Sequence, residues 1–185
     1  MKNLKKISLV ILVAILPALG FSQSMFDKYE DMDNVGSVIV NKGMINLLGS
    51  LAALDEGDKE AQEFMEMAQG INGIKVFMTE DDKVSADMGA TVKKYLKSSR
   101  LEELMRVKDE DVNVKFYIRN GKQKDHVSEL LMFVSELKNV KVGPRGRHFE
   151  TVLVSMTGDI DLKKVGKLTD KMDLPKELKK AEKGR

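Results

Sequence analysis

The stretch VNVKFYIRNG, Val112 to Gly121, constrains this 185-residue chain more than any other part of it. Val112, Val114, Phe116 and Ile118 alternate with polar or mixed residues, the two-residue period of a strand with one buried face. Asn120-Gly121 follows. Both residues tolerate the positive φ of a type I′ turn, so the strand is expected to reverse into a hairpin. The segment after it, HVSELLMFVSEL (His126 to Leu137), fits two templates. Val127, Leu130, Leu131 and Val134 suit a helix, whereas continuous LLMFV beside a hairpin signal suits a strand. The strand is the expectation taken forward.

The rest of the chain supplies both periods. SMFDKYEDMDN (Ser24 to Asn34) reads as a loosely packed polar lead-in, and VGSVIV (Val35 to Val40) as a first, β-branched strand. Met44, Leu47, Leu48 and Leu51 give a first helix, from Gly43 to about Asp55–Gly57. Ala61, Phe64, Met65 and Ala68 give a second, with Asp58 as N-cap and Gly70 closing it. GIKVFMT (Gly73 to Thr79) alternates as a strand. The turn Glu80 to Lys83 leads into a helix carrying Val84, Met88, Val92 and Leu96 on one face. Ser99 to Glu102 has capping-box spacing, but Leu104 to Val107 reads better as a strand that turns at Asp109-Glu110-Asp111 into Val112. GPRGR (Gly143 to Arg147) is a loop, HFETVLVSM a last strand, and DLKKVGKLTDKM a helix with Leu162, Val165 and Leu168 aligned. The fold class is α+β: a largely antiparallel sheet with a C-terminal strand meander, and helices packed on one face.

The N-terminus has a different character. MKNLKK is basic, Ile7 to Gly20 is an apolar run of 14 residues, and Gly20 and Ser22 are small. This is the pattern of a secretory signal peptide cleaved between Ser22 and Gln23. The apolar run is short for a membrane span, which needs about 20 residues. The expected organisation is a cleaved leader over 1–22, one α+β domain over 23–174 and a charged, flexible tail over 175–185. The net charge of +2 comes from 31 basic and 29 acidic residues; losing the leader's Lys2, Lys5 and Lys6 makes it −1. A chain so balanced offers no basic face for nucleic acid. It has no cysteine, so an exported domain must rest on its core alone, and thiol catalysis and cysteine metal sites are excluded.

The motifs that carry chemistry are few. His126 and His148 lie in no HxH, HxxxH or HExxH arrangement, and zinc needs three or four ligands. No GxSxG elbow accompanies the serines, and Gly70 to Val76 precedes a strand instead of opening a helix, so it is no dinucleotide loop. Arg145 and Arg147, with Lys141 and His148, offer a small anion site or, more commonly, a solvated turn. The acidic clusters Glu80-Asp81-Asp82, Asp109-Glu110-Asp111 and Asp159/Asp161 lack the spacing of a calcium loop. Val152 to Met156 reads as a strand and Thr157-Gly158 as the bend after it, and Asp161 stands where an N-cap belongs, immediately before the apolar-periodic helix. Asp159 is left without a structural reason.

LEELMRVKDEDVNVKFYIR (Leu101 to Arg119) and VLVSMTGDIDLKKVGKL (Val152 to Leu168) resemble the exported bacterial family called domain of unknown function 4252. The likeness runs from SVIVNKGMINLL (Ser37 to Leu48) to the final helix. EELMRVKD and SMTGDIDL are its most specific parts. The resemblance implies envelope proteins of α+β fold, some tethered through a lipid-attachment cysteine that this chain lacks. It supplies no activity and no site residues.

Together these readings point to an exported periplasmic or secreted protein that binds or regulates another envelope component. No catalytic or metal-binding residue, no cofactor, no nucleic-acid partner and no membrane span after leader removal are expected. The rival reading is a hydrolase or transferase built on Asp159, Asp161 and a histidine.

Overall fold

A computed structural model describes residues 25–52, 62, 65–66, 68–110, 112–137, 141–142 and 147–163 of the chain. The leader, the tail, and the proposed caps and loops at Asp58 and 143–146 lie outside those residues. In chain order the elements are β1 (Gly36–Asn41), α1 (Lys42–Ala52), β2 (Ile71–Thr79), α2 (Asp82–Ser98), β3 (Glu102–Lys108), β4 (Asn113–Asn120), β5 (His126–Ser135), β6 (Lys141–Val142), β7 (Arg147–His148) and β8 (Thr151–Asp161). Residues 25–27 and parts of 62–68 are also helical.

Six strands form one sheet in the order β1-β2-β8-β5-β4-β3, with every neighbour antiparallel; β6 and β7 pair as a small separate hairpin. The α+β class and the antiparallel sheet stand, and β3, β4, β5 and β8 are the meander. His126 to Ser135 is strand, as the hairpin signal required: alternate positions Val127, Glu129, Leu131 and Phe133 are buried. The turn itself departs from expectation. The connection runs from Gly121 to Asp125, and Asp125 takes the left-handed φ of 63°. Gly121 serves by close approach instead, since a Cβ there would lie 2.9 Å from the His126 carbonyl oxygen.

One sheet face packs under α2. Asp81 caps this helix, its Oδ1 accepting the N–H groups of Lys83 and Val84 at 2.8 and 3.0 Å. Val84, Met88, Val92 and Tyr95 then meet Phe77, Leu131, Phe133 and Leu153. Ser99 is the C-cap of α2, not the start of a new helix, and Glu102 already belongs to β3. The lead-in is not loose. Phe26 and Tyr29 are among the largest fully buried side chains, and Phe26 meets Tyr95 edge-on at 5.1 Å. Lys75 closes the segment with ion pairs of 2.6 Å to Asp27 and Glu30. Polar spacing hid this because only two of the segment's residues carry the burial.

The placement of helices on one face holds for α2 alone. Ile45 of α1 packs with Val40, Ile74 and Met156, which alternation puts on the opposite face from Phe77 and Leu153. That face stays half-exposed across Val76, Val154 and Met132, while Leu137 and Phe149 cover one end of it.

Candidate functional site

The acidic turn singled out in the sequence lies where β5 begins and β8 ends. β8 does not stop at Met156; it runs on to Asp161, which pairs with His126. Val127 faces Ile160 and Glu129 faces Thr157, so Gly158 and Asp159 together stand against the single residue Ser128. This is a β-bulge, a device that re-aims side chains. Gly158 makes it possible. Its φ is +150°, and a Cβ would lie 2.1 Å from the Gly70 carbonyl oxygen, the same oxygen that accepts the Asp159 N–H at 2.7 Å.

The bulge gives Asp159 a role that the sequence left open. Its Oδ1 lies 2.8 Å from His126 Nδ1. Asp161 behaves as the cap expected of it, its Oδ1 accepting the Lys163 N–H at 2.9 Å, while Lys163 Nζ pairs with Asp125 at 2.9 Å. A carboxylate on Nδ1 orients an imidazole and leaves Nε2 for proton transfer, which is half of a catalytic dyad. The surroundings are those of a surface pair: the Asp159 side chain is 57% exposed. Two open clefts among the described residues lie elsewhere, one between α1 and Gln62, Met65, Glu66 and Gln69, and one around Asn34, Thr79 and Phe149. Of the other sequence candidates, His148 and Arg147 sit in β7, and Arg145 lies outside the described residues. Among the described residues no three His, Asp or Glu side chains gather as metal ligands, and no helix is long and apolar enough to cross a membrane.

Sequence reasoning missed the most buried charged residue among those described. Glu129 is 1% exposed, with Arg119 Nη2 at 2.9 Å from one carboxylate oxygen and the Tyr95 hydroxyl donating to the other at 2.6 Å. Burial pushes its carboxyl above the ordinary carboxylate range, against the pull of Tyr95 and Arg119. The signal was available. Glu129 has the parity of Leu131 and Phe133 in a strand whose odd positions point inward. The triad fastens the end of α2 to β4 and β5 beneath the sheet's protected face.

The third feature is apolar. After Lys42, α1 contains no charged residue, and Met44, Leu47 and Leu48 are 48, 53 and 43% exposed while Ile45 is buried. Lys42 itself is turned back, its ammonium bonded to the carbonyl oxygens of Gln69 and Ile71. An open groove of about 690 Å³ runs beside this helix, with Asn46, Gly49 and Ser50 on one wall and Met65 and Glu66 on the other. The helical spacing identified these leucines in the sequence, but a period alone did not show that they stay exposed.

The family described as Domain of unknown function (DUF4252) matches residues 29–168, which holds the whole six-stranded sheet, α1 and α2. The chain belongs to this family. No match to it was found among curated proteins or solved structures. The DUF4252 region thus includes Tyr29, the Glu129 triad, the His126–Asp159 pair and the apolar stripe of α1.

Proposed function

We propose that this DUF4252 protein is an exported, non-enzymatic domain of the cell envelope that works by binding another envelope protein. The observation that carries the reading is the stripe of Met44, Leu47 and Leu48, apolar side chains left about half-exposed on a helix that has no charge after Lys42. Isolated exposed leucines are ordinary, but a helical row of them beside an open groove is the signature of a surface that a partner covers. The N-terminal leader pattern supports export, with processing between Ser22 and Gln23, a single domain over 23–174 and a charged tail beyond it.

The test compares two forms of the purified, processed protein in retaining proteins from envelope extracts. Wild type is expected to retain a discrete partner, and the Leu47→Asp, Leu48→Asp double variant to lose it while keeping its circular dichroism. Retention of the same partner by both forms overturns the reading. Mass spectrometry of the exported form is expected to begin at Gln23.

The hydrogen bond between His126 and Asp159 supports a second reading, a hydrolase or transferase centred on that pair. Asp159→Asn with folding intact and a discrete activity lost would establish it. Asp161→Ala serves as the reference, expected to cost about 1 kcal/mol of stability through the lost cap and nothing else.

A further inference from the structure

The two edges of the sheet are built differently. β3, at one edge, reads EELMRVK: four of its seven residues are charged, and its register breaks between Glu103 and Met105. Charges and a bulge are the usual means of keeping an edge from pairing with other chains. β1, at the other edge, reads GSVIVN. It has no charge and no proline, pairs with β2 without a register break, and leaves Val38 and Ile39 49 and 42% exposed. An unguarded, apolar edge strand in a folded protein is a pairing surface.

We propose that β1 is the edge through which two copies of this chain pair, antiparallel about a two-fold axis at Ile39, to form one continuous twelve-stranded sheet. The occupant is a second copy because β1 is complementary to itself. Opposed residues in an antiparallel pair share a face, so a two-fold must be centred on a residue. Centred on Ile39, it opposes Ile39 to Ile39 and Val38 to Val40, with Ser37 to Asn41. Centred on Val38, it sets Val40 against Gly36 and Ile39 against Ser37. Only the first matches every apolar side chain with another, as β2 already does by pairing Val38 with Val76 and Val40 with Ile74. No like charges meet along the seam. This inference is independent of the envelope-binding reading, which concerns α1.

The chain's lack of cysteine makes the register testable. The protein, expressed from the full reading frame and purified in its processed form, is expected to sediment as a concentration-dependent dimer. Ile39→Lys, at an exposed position, opposes two ammonium groups at the axis and is expected to weaken the dimer by roughly tenfold or more. Ile39→Cys, treated with oxidised glutathione, is expected to form a covalent dimer, since opposed strand residues have Cα atoms about 4.5–5.5 Å apart, within disulfide reach. Val38→Cys, opposed to Val40, and Leu104→Cys, on the β3 edge, are expected to stay monomeric on denaturing gels. A monomer throughout the micromolar range overturns the proposal. So does a dimer that Ile39→Lys leaves unchanged, or equal cross-linking through Leu104→Cys.

Discussion

Single residues decide the local geometry that the sequence could not rank. Fourteen glycines are distributed through the chain, yet Gly158 stands apart because both its φ and the Gly70 carbonyl exclude a side chain. Gly158→Ala is expected to lower stability by about 3 kcal/mol or more, read from urea midpoints. Gly89→Ala is the contrast. Its methyl would meet Phe133 Cζ at an ordinary 3.7 Å within α2, so it is expected to be neutral or stabilising by up to about 1 kcal/mol. Glu129 gives a pH signature. Its folded pKa is raised above the ordinary 4.5, so the stability it contributes is complete below that value and is lost as pH rises through the folded pKa. Glu129→Gln removes that slope. The cost of the substitution is expected to be larger near pH 4 than near pH 7, and a cost that grows toward neutrality would contradict the assignment.

At the scale of elements, the lead-in is the main surprise. The segment Ser24 to Asn34 was legible only as polar, because Phe26 and Tyr29 lie three apart among six charged or amide neighbours. Their burial depends on α2, which no local pattern links to them. Tyr29 places its hydroxyl 2.6 Å from Asp87 and 2.8 Å from Thr91, and Lys28 lies 2.5 Å from the same Asp87 oxygen. Phe26→Ala is therefore expected to cost about 3–5 kcal/mol, as for a core aromatic, where a loose lead-in would cost nothing measurable. Hydrogen bonds from Lys28 and Tyr29 hold the Asp87 carboxyl below its ordinary 3.8. A depressed pKa contributes stability above 3.8 that disappears as pH falls through the folded value. Amide protection in residues 25–35, corrected for the intrinsic exchange rate, is accordingly expected to fall on acidification, and Asp87→Asn to lower it already at neutral pH. The strands were more legible: the alternation of Val114 to Ile118 and the Asn-Gly punctuation settled β4 and, through it, β5. The hairpin connection was not, because a five-residue link with Asp125 at positive φ competes with the two-residue turn and wins by keeping His126 in register with Asp161.

At the scale of the whole molecule, β8 holds the structure together. It is the last strand among the described residues and lies centrally in the sheet, between β2 and β5. Leu153 is fully buried on it, in the cluster that joins the lead-in, α2 and four strands. Leu153→Ala is expected to cost about 2–5 kcal/mol and to shift the far-UV and tyrosine-fluorescence transitions together, since the sheet and the α2 layer share that residue. The sequence by itself determined the family, the α+β class, most strand positions and the cap at Asp161. Each of these is written in residues that are neighbours in the chain, through period, turn chemistry or a capping oxygen. Only the tertiary structure decided the strand order, the opposite faces taken by α1 and α2, the Glu129 triad and the meeting of His126 with Asp159. Those depend on contacts between residues far apart in sequence, and a period records which side of a strand is apolar without recording what will cover it. Asp159 shows the difference: the sequence could place it on a turn, but a bulge 33 residues from His126 had to form before it had a partner.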